Sequence, residues 1–360
     1  MKYIDEYRDR DLIIKLAGQI QRSAKGNYTF MEVCGGHTAA IHRFGIPSLL
    51  PAGIKLISGP GCPVCVTEID FIDKAIEYST KEDVILTTFG DLIRVPGSMT
   101  SLEKMKVSGA DIRIVLSGLD ALQTARLHPD KKVIFPAIGF ETTAPGTAAT
   151  VKQAELENIN NFFILSTHKI MPPAMETILK DGADIDGFIC PGHVSVITGS
   201  SVFNFIPEKY TRGCVVTGFE PTDILQAVNM LITQVNNNDP SVEIQYRRAV
   251  TKDGNRIAQS LMQDVFEKSD VRWRGFGNIP LSGLVLKEEY KRFDAEYQMP
   301  VTVKSIADNE LCLCGEILRG LKTPDECPLF DNICNPLNPV GACMVSNEGS
   351  CNTWYKYKLV

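Results

Sequence analysis

Short apolar runs recur along the chain at nearly even intervals. Residues 28–33 (YTFMEV), 54–58 (IKLIS), 83–89 (DVILTTF), 112–117 (IRIVLS), 133–139 (VIFPAIG), 161–166 (NFFILS), 186–190 (DGFIC), 214–219 (CVVTGF) and 242–246 (VEIQY) are almost continuously hydrophobic. A strand buried on both faces needs that pattern, because neither side of its pleat meets water. Between them, residues 9–24, 67–80, 119–127, 145–157, 171–181 and 221–235 read as amphipathic helices. Strand–helix alternation of this kind predicts parallel sheets joined by crossover helices.

A displacement of 131 residues aligns several of these features: His37 with His168, Pro60-Gly61 with Pro191-Gly192, and Val84-Ile85 with Val215-Val216. The strands at 112–117 and 242–246 align as well, as do the helices at 9–24 and 145–157. Several matches at one offset imply two similar, Rossmann-like α/β domains in tandem, residues 1–130 and 131–248, followed by a different region at 249–360. Ligands of such domains bind at the carboxyl ends of the strands. The offset sets Cys62 and Cys65 against His193 and Val196, so the first domain reads as thiol-bearing and the second as its complement across a cleft.

A chain of 360 residues has room for two or three domains. The net charge of −6 gives no reason to expect nucleic acid or an anionic membrane surface as partner. No apolar window approaches the ~18 residues of a membrane span. The amino terminus, MKYIDEYRDRDLIIKL, is charged throughout, unlike a signal peptide, which predicts a cytoplasmic protein. That setting makes the 11 cysteines informative, because cytosolic thiols stay reduced and their clusters more often serve metal or redox chemistry than disulfides.

Four strand ends carry candidate chemistry. In EVCGGHT (32–38) two glycines allow a sharp turn that brings Cys34 and His37 into one loop; the plainer alternative is a tight turn over a buried thiol. In GPGCPVC (59–65) Cys62 is expected near a helix amino terminus and Cys65 in its first turn, where the helix dipole favours thiolate. Such a pair can cycle to a disulfide, hold a soft metal ion or pack inertly, and the flanking Pro and Gly residues suggest an exposed turn. In GFETTAP (139–145) Glu141 is the candidate, while Thr142 or Thr143 can simply cap the helix that Pro145 begins. CPGHVS (190–195) places His193 at another strand end, as a site residue or a packed cap, and STHKIMPP (166–173) adds His168 more weakly. No phosphate-binding loop is present.

After about residue 250 the strand–helix rhythm fades. VRWRGFGNIPLSGLVLKEEY reads as an irregular stretch leading into a helix or strand. Then six cysteines fall within 40 residues: Cys312, Cys314, Cys327, Cys334, Cys343 and Cys351, among prolines, glycines and asparagines. So little apolar content needs a cross-link to fold. Zinc or an iron–sulfur cluster would each take four thiolates. Cys327-Pro328 and the nearby Cys334 and Pro336 favour the cluster, with zinc second and disulfides third.

Together, CGGHT, GPGCPVCV, GFETTAP, PGHVS and the ordered tail CPLF…GACMVS…EG…C resemble the HypD family of hydrogenase maturation factors over nearly the whole chain. The resemblance implies a two-lobed α/β body with a small domain holding a [4Fe-4S] cluster. It implies a scaffold on which the Fe(CN)2CO unit of [NiFe]-hydrogenase is assembled with the small chaperone HypC, cyanide arriving from HypE and HypF. The family's scaffold cysteines correspond to Cys34, Cys62 and Cys65, and its cluster spacing of 14, 6 and 16 intervening residues to Cys312, Cys327, Cys334 and Cys351. Cys314 and Cys343 are left over, as substitute ligands or for electron or thiol exchange. Glu141 and His193, with His37 beside the scaffold thiols, would then hydrogen-bond near the iron's cyanides from the other lobe. The family motif continues as Cys-Gly-Gly-His-Thr-His, whereas Ala39 follows Thr38 here and the next histidine is His42. Besides the scaffold, two readings stay open: a cluster-linked thiol–disulfide oxidoreductase acting on a partner protein, and a zinc-stabilised binding module.

Overall fold

The computed structural model describes residues 5–304 and 309–357. Its strands are β1 (Tyr28–Glu32), β2 (Ile54–Ser58), β3 (Val84–Thr88), β4 (Ile112–Ile114), β5 (Lys132–Ala137), β6 (Phe162–Ser166), β7 (His168–Lys169), β8 (Gly187–Pro191), β9 (Gly213–Thr217), β10 (Val242–Ile244), β11 (Phe266–Trp273) and β12 (Gly277–Leu286). All nine apolar runs are strands, and the six amphipathic stretches are helices within two residues of the expected ends. Side-chain caps set several helix starts: Asp9 accepts the Leu12 N–H at 2.8 Å, and Asn255 the Ala258 N–H at 3.1 Å.

Two parallel sheets form, in the orders β10-β9-β8-β1-β2 and β4-β3-β5-β6. One face of the first sheet packs Phe30, Ile189 and Val215 against Ile20 and Val228 of the helices Arg10–Ser23 and Pro221–Asn237, all fully buried. Burying each such side chain contributes about 1.5–3 kcal/mol. In the second sheet Val133, Phe135 and Ile164 pack on Ala121 and Ala148 of the helices Gly118–Leu127 and Ala144–Leu156. No helix among the described residues is long and apolar enough to cross a membrane.

The sheets are not the tandem halves expected at residues 130 and 131. β1 pairs in parallel with β2 on one side and with β8 on the other, Glu32 lying opposite both Ser58 and Ile189. The first sheet therefore takes strands from both sides of that boundary, and the chain between β2 and β8 forms the second sheet. The offset aligns β2 with β8, yet both strands belong to one sheet, flanking β1. Uniformly apolar strands carry little information about which neighbour each will choose, so the spacing of the runs misleads.

The region after residue 249 also differs from expectation. β11 and β12 form an antiparallel hairpin whose second strand pairs with β7, Gly283 opposite Lys169 and Leu284 opposite His168. Its cysteine-rich continuation does not stand apart as a domain: Cys314, Cys343 and Cys351 share one continuous core with Met31, Cys65 and Trp273.

Candidate functional site: thiol loops at a sheet edge

At the carboxyl end of β1 the chain turns at once into the helix Gly35–Arg43. Glu32 shapes the turn, its carboxyl accepting the Cys34 N–H at 3.0 Å and the Thr38 hydroxyl. Burial pushes that carboxyl up to about 8, against the pull of the Thr38 hydrogen bond. The loop after β2 crosses directly over it. Gly35 N–H donates to the Gly61 carbonyl at 3.1 Å, and a methyl group on Gly61 would lie 2.3 Å from the Cys34 nitrogen. Only glycine permits this approach, and it brings the Cys34 loop onto the Cys62–Cys65 loop.

Cys62 and Cys65 are 3% and 0% exposed, so the expected open turn is in fact covered. Nor do they begin a helix: residues 62–65 form a turn in which Cys65 N–H approaches Cys62 Sγ at 3.3 Å, and the helix Ile69–Ser79 starts only later. Burial raises the Cys65 thiol, but hydrogen bonds from Cys343 and Cys62, with the Arg274 guanidinium nearby, overcome it and bring the group down to about 5. Side-chain partners take the role the helix dipole was expected to play. Burial and the hydrogen bond to Cys65 push Cys62 well up. The partly exposed Cys34 is pushed up to about 12 by burial and the Glu348 carboxylate.

His37 is fully buried, and its Nε2 donates to the carbonyls of Thr217 (3.1 Å) and Gly218 (3.0 Å). Nδ1 is then the unprotonated nitrogen; it is buried without a partner. Burial lowers the ring to about 4, so it is neutral near pH 7. His37 and His193 both stack on Phe219, at 4.6 and 4.0 Å between ring centroids. His193 follows β8 and so comes from the same sheet as Cys34, not from an opposing lobe.

The tail closes this edge. A methyl group on Gly35 would lie 2.4 Å from Glu348 Cβ, Ser346 donates to Asp91 at 2.9 Å, and the His42 and Trp354 rings lie 5.3 Å apart. All six tail cysteines border one small cavity. Cys343 Sγ lies 2.6 Å from Cys314 Sγ and also hydrogen-bonds with Cys351 and Cys65, so the two cysteine groups touch. Among the described residues no three His, Cys, Asp or Glu side chains converge as tightly as a preformed ion site requires.

Other candidates lie elsewhere. His168, in β7, bonds to Thr147 Oγ1 at 2.9 Å and lies 3.3 Å from the Gly139 carbonyl, a packed and satisfied histidine. Glu141, after β5, lines a cavity that contains none of the cysteines. Sequence reasoning missed Glu32, Phe219, Arg274 and Glu348. An acidic residue two positions before Cys34, on an otherwise apolar strand, was a signal for the first; the others reach the site only through tertiary packing.

Fold and site together define an α/β protein that presents thiols from two adjacent strand ends and covers them with a second, cysteine-rich thiol group. A family model described as "Hydrogenase formation hypA family", HypD, matches residues 11–358. The chain is 44% identical to the hydrogenase maturation factor HypD of Cupriavidus necator, over 99% of this chain and 97% of that one. It is 44% identical to the HypD of Escherichia coli over 99% and 98%, and 46% identical to a putative hydrogenase expression/formation protein of Methanocaldococcus jannaschii over 98% and 99%. The chain belongs to the HypD family of hydrogenase maturation factors.

Proposed function

We propose that this protein is a scaffold on which an iron unit bearing cyanide and CO is assembled as cargo for [NiFe]-hydrogenase, with its own thiols providing redox chemistry. The observation that carries the reading is the backbone contact of the Cys34 loop with the Cys62–Cys65 loop, closed over by Cys343. Low-spin iron with strong-field diatomic ligands is well matched by soft thiolates, and Cys34 with one or both of Cys62 and Cys65 would bind it. His37 presents a neutral, unpartnered nitrogen on the same loop.

Six thiols around one cavity, in a segment with few other cross-links, suit a resident [4Fe-4S] cluster held by Cys312, Cys327, Cys334 and Cys351. Such a cluster, when bound, supplies or takes up electrons singly. Cys314 and Cys343 are then free for thiol exchange, and Cys343 lies against Cys65. Oxidising the Cys62 thiol and the Cys65 thiolate to a disulfide forms one S–S bond and releases one proton, from Cys62, and two electrons. Thiol–disulfide exchange through Cys343 would connect that pair to the tail. The small chaperone HypC would dock beside residues 34–38 and 59–65, where its own ligand reaches the same iron, and HypE with HypF would deliver cyanide.

The test is infrared spectroscopy of protein purified anaerobically with its chaperone. Cys34→Ala, Cys62→Ala and Cys65→Ala should each abolish the CN and CO bands, and Cys34→Ala should leave the tail's visible absorbance intact. Bands that persist in all three variants would place the iron elsewhere. The contact between Cys65 and Cys343 favours one further reading, a thiol–disulfide oxidoreductase acting on a partner protein. Catalytic disulfide reduction by protein lacking CN and CO bands would select it.

A further inference from the structure

A second cavity, of about 490 Å3, lies beyond the carboxyl ends of the second sheet, between that sheet, the β11–β12 hairpin and the helices Met171–Lys180 and Arg256–Val265. It contains none of the cysteines, and its volume is typical of small-molecule sites, roughly 300–1,000 Å3. Ile170, Val202, Phe205, Phe266 and Leu284 give it apolar walls. Glu141 lies in the wall, only 3% exposed. Its Oε1 accepts the Met171 N–H at 3.0 Å, while its Oε2 is buried with no hydrogen-bond partner. A buried carboxyl oxygen without a hydrogen-bond partner is unfavourable unless something donates to it.

The position is also one where ligands are expected. In the order β4-β3-β5-β6 the chain runs outward from β3 to β4 on one side and from β5 to β6 on the other. β3 and β5 thus flank a point where the winding reverses, and open α/β sheets bind ligands outside the carboxyl ends of strands at such a point. Glu141 follows β5 directly.

We propose that this cavity binds a small, mostly apolar molecule through an N–H donor placed on Glu141 Oε2, of the alkyl amide or alkylamine class. The walls take the hydrocarbon and Oε2 takes the N–H. Lys268, also in the lining, disfavours a second cation and suits a head group that carries an acceptor, which a primary amide does. The inference stands apart from the iron reading, since it uses neither group of cysteines.

The experiment titrates the full-length protein at pH 8, where the Glu141 carboxyl, pushed up to about 7 by burial, is ionised and Oε2 is an acceptor, with hexanamide, hexylamine and hexanoate by calorimetry, following the melting transition in parallel. Saturable binding of hexanamide or hexylamine, with none of hexanoate, is expected; whichever of the two binds identifies the head group. Glu141→Leu should weaken that binding roughly tenfold or more, because the donor loses its acceptor. Val202→Trp, which fills the cavity from another wall and leaves Glu141 in place, should abolish it and keeps the test sound if Glu141→Leu folds poorly. Failure of both nitrogen probes to bind overturns the proposal, as does equal binding of hexanoate or binding unchanged in Val202→Trp.

Discussion

Lys169 should be among the most sensitive positions in the protein. It is 1% exposed, and its Nζ donates to Glu68 Oε1 and Oε2 (3.3 and 3.2 Å), Thr167 Oγ1 (3.2 Å) and the Arg272 carbonyl (2.8 Å). Glu68 lies three residues after Cys65, so this ion pair fastens the thiol loop to the hairpin. At an effective dielectric of about 20, unit charges separated by 3.2 Å attract by roughly 5 kcal/mol. Desolvation offsets much of that, and burial pushes Lys169 down and Glu68 up. Lys169→Met removes the attraction and leaves a mostly buried carboxylate alone, so the variant should lose about 3–5 kcal/mol at neutral pH. Lys169→Met combined with Glu68→Gln removes both charges and should lose only about 1–2 kcal/mol, chiefly the bond to the Arg272 carbonyl. The sign with pH is also fixed. Without the lysine the carboxyl of Glu68 rises further above its unfolded value, so the single variant should recover stability relative to wild type as pH falls. Urea unfolding followed by tryptophan fluorescence at pH 5 and pH 8 measures each quantity. A single variant that loses less than about 1 kcal/mol, or a double variant that loses as much as the single, would refute the reasoning.

Other substitutions test the remaining contacts. Gly61→Ala puts a methyl group 2.3 Å from the Cys34 backbone nitrogen and should cost about 1–3 kcal/mol while exposing Cys34 to thiol reagents; an unchanged labelling rate would show that the two loops are not held together. Glu141 is pushed up to about 7 by burial, so the folded protein retains a proton that the unfolded chain releases near 4.5. The stability it contributes is full below the unfolded value and falls by about 3 kcal/mol as pH rises through about 7; Glu141→Gln should flatten that slope in melting curves recorded across the range. Cys343→Ala removes a hydrogen-bonding partner of Cys65 and should slow its alkylation near neutral pH; equal rates would argue against the contact.

The secondary structure was legible because parallel strands and amphipathic helices leave strong local patterns, from residues 28–33 to 221–235. The hairpin was not. β11 exposes the adjacent Glu267 and Lys268 as well as Asp270 and Arg272, which breaks the alternation, and carries a register shift between Ser269 and Val271, while its partner β12 adds to a two-residue strand that no pattern could announce. The motif cysteines and His37 were visible as loops at strand ends, but their environment was not. Cys62 and Cys65 looked open because prolines and glycines flank them, and they are buried because residues 343–351 fold back over them from the far end of the chain. Local sequence gives the chemistry of a loop, whereas its cover and its pKa depend on segments hundreds of residues away.

Strand order explains why the chemistry falls where it does. In the first sheet the chain leaves β1 toward β2 on one side, and continues from β8 to β9 and β10 on the other. The winding reverses between β1 and β8, and the loops that leave those two strands must diverge and open a crevice. Cys34 and His37 follow β1 and His193 follows β8, with Phe219, after β9, stacked on both imidazoles. The second sheet repeats the reversal between β3 and β5 and places Glu141 there. The resemblance between the two sheets therefore lies in how they are wound, not in a fixed sequence offset. It predicts that each has one ligand-bearing crevice: thiols and imidazoles line the first, whereas the second pairs the buried Glu141 carboxyl and apolar walls with the charged side chains of Glu176, Lys209 and Lys268. Such different linings suit different ligands, so substitutions in one crevice should leave binding in the other unchanged. The buried pair Lys169 and Glu68, which joins the thiol loop to β7 beside the second sheet, is one contact through which coupling between them would pass.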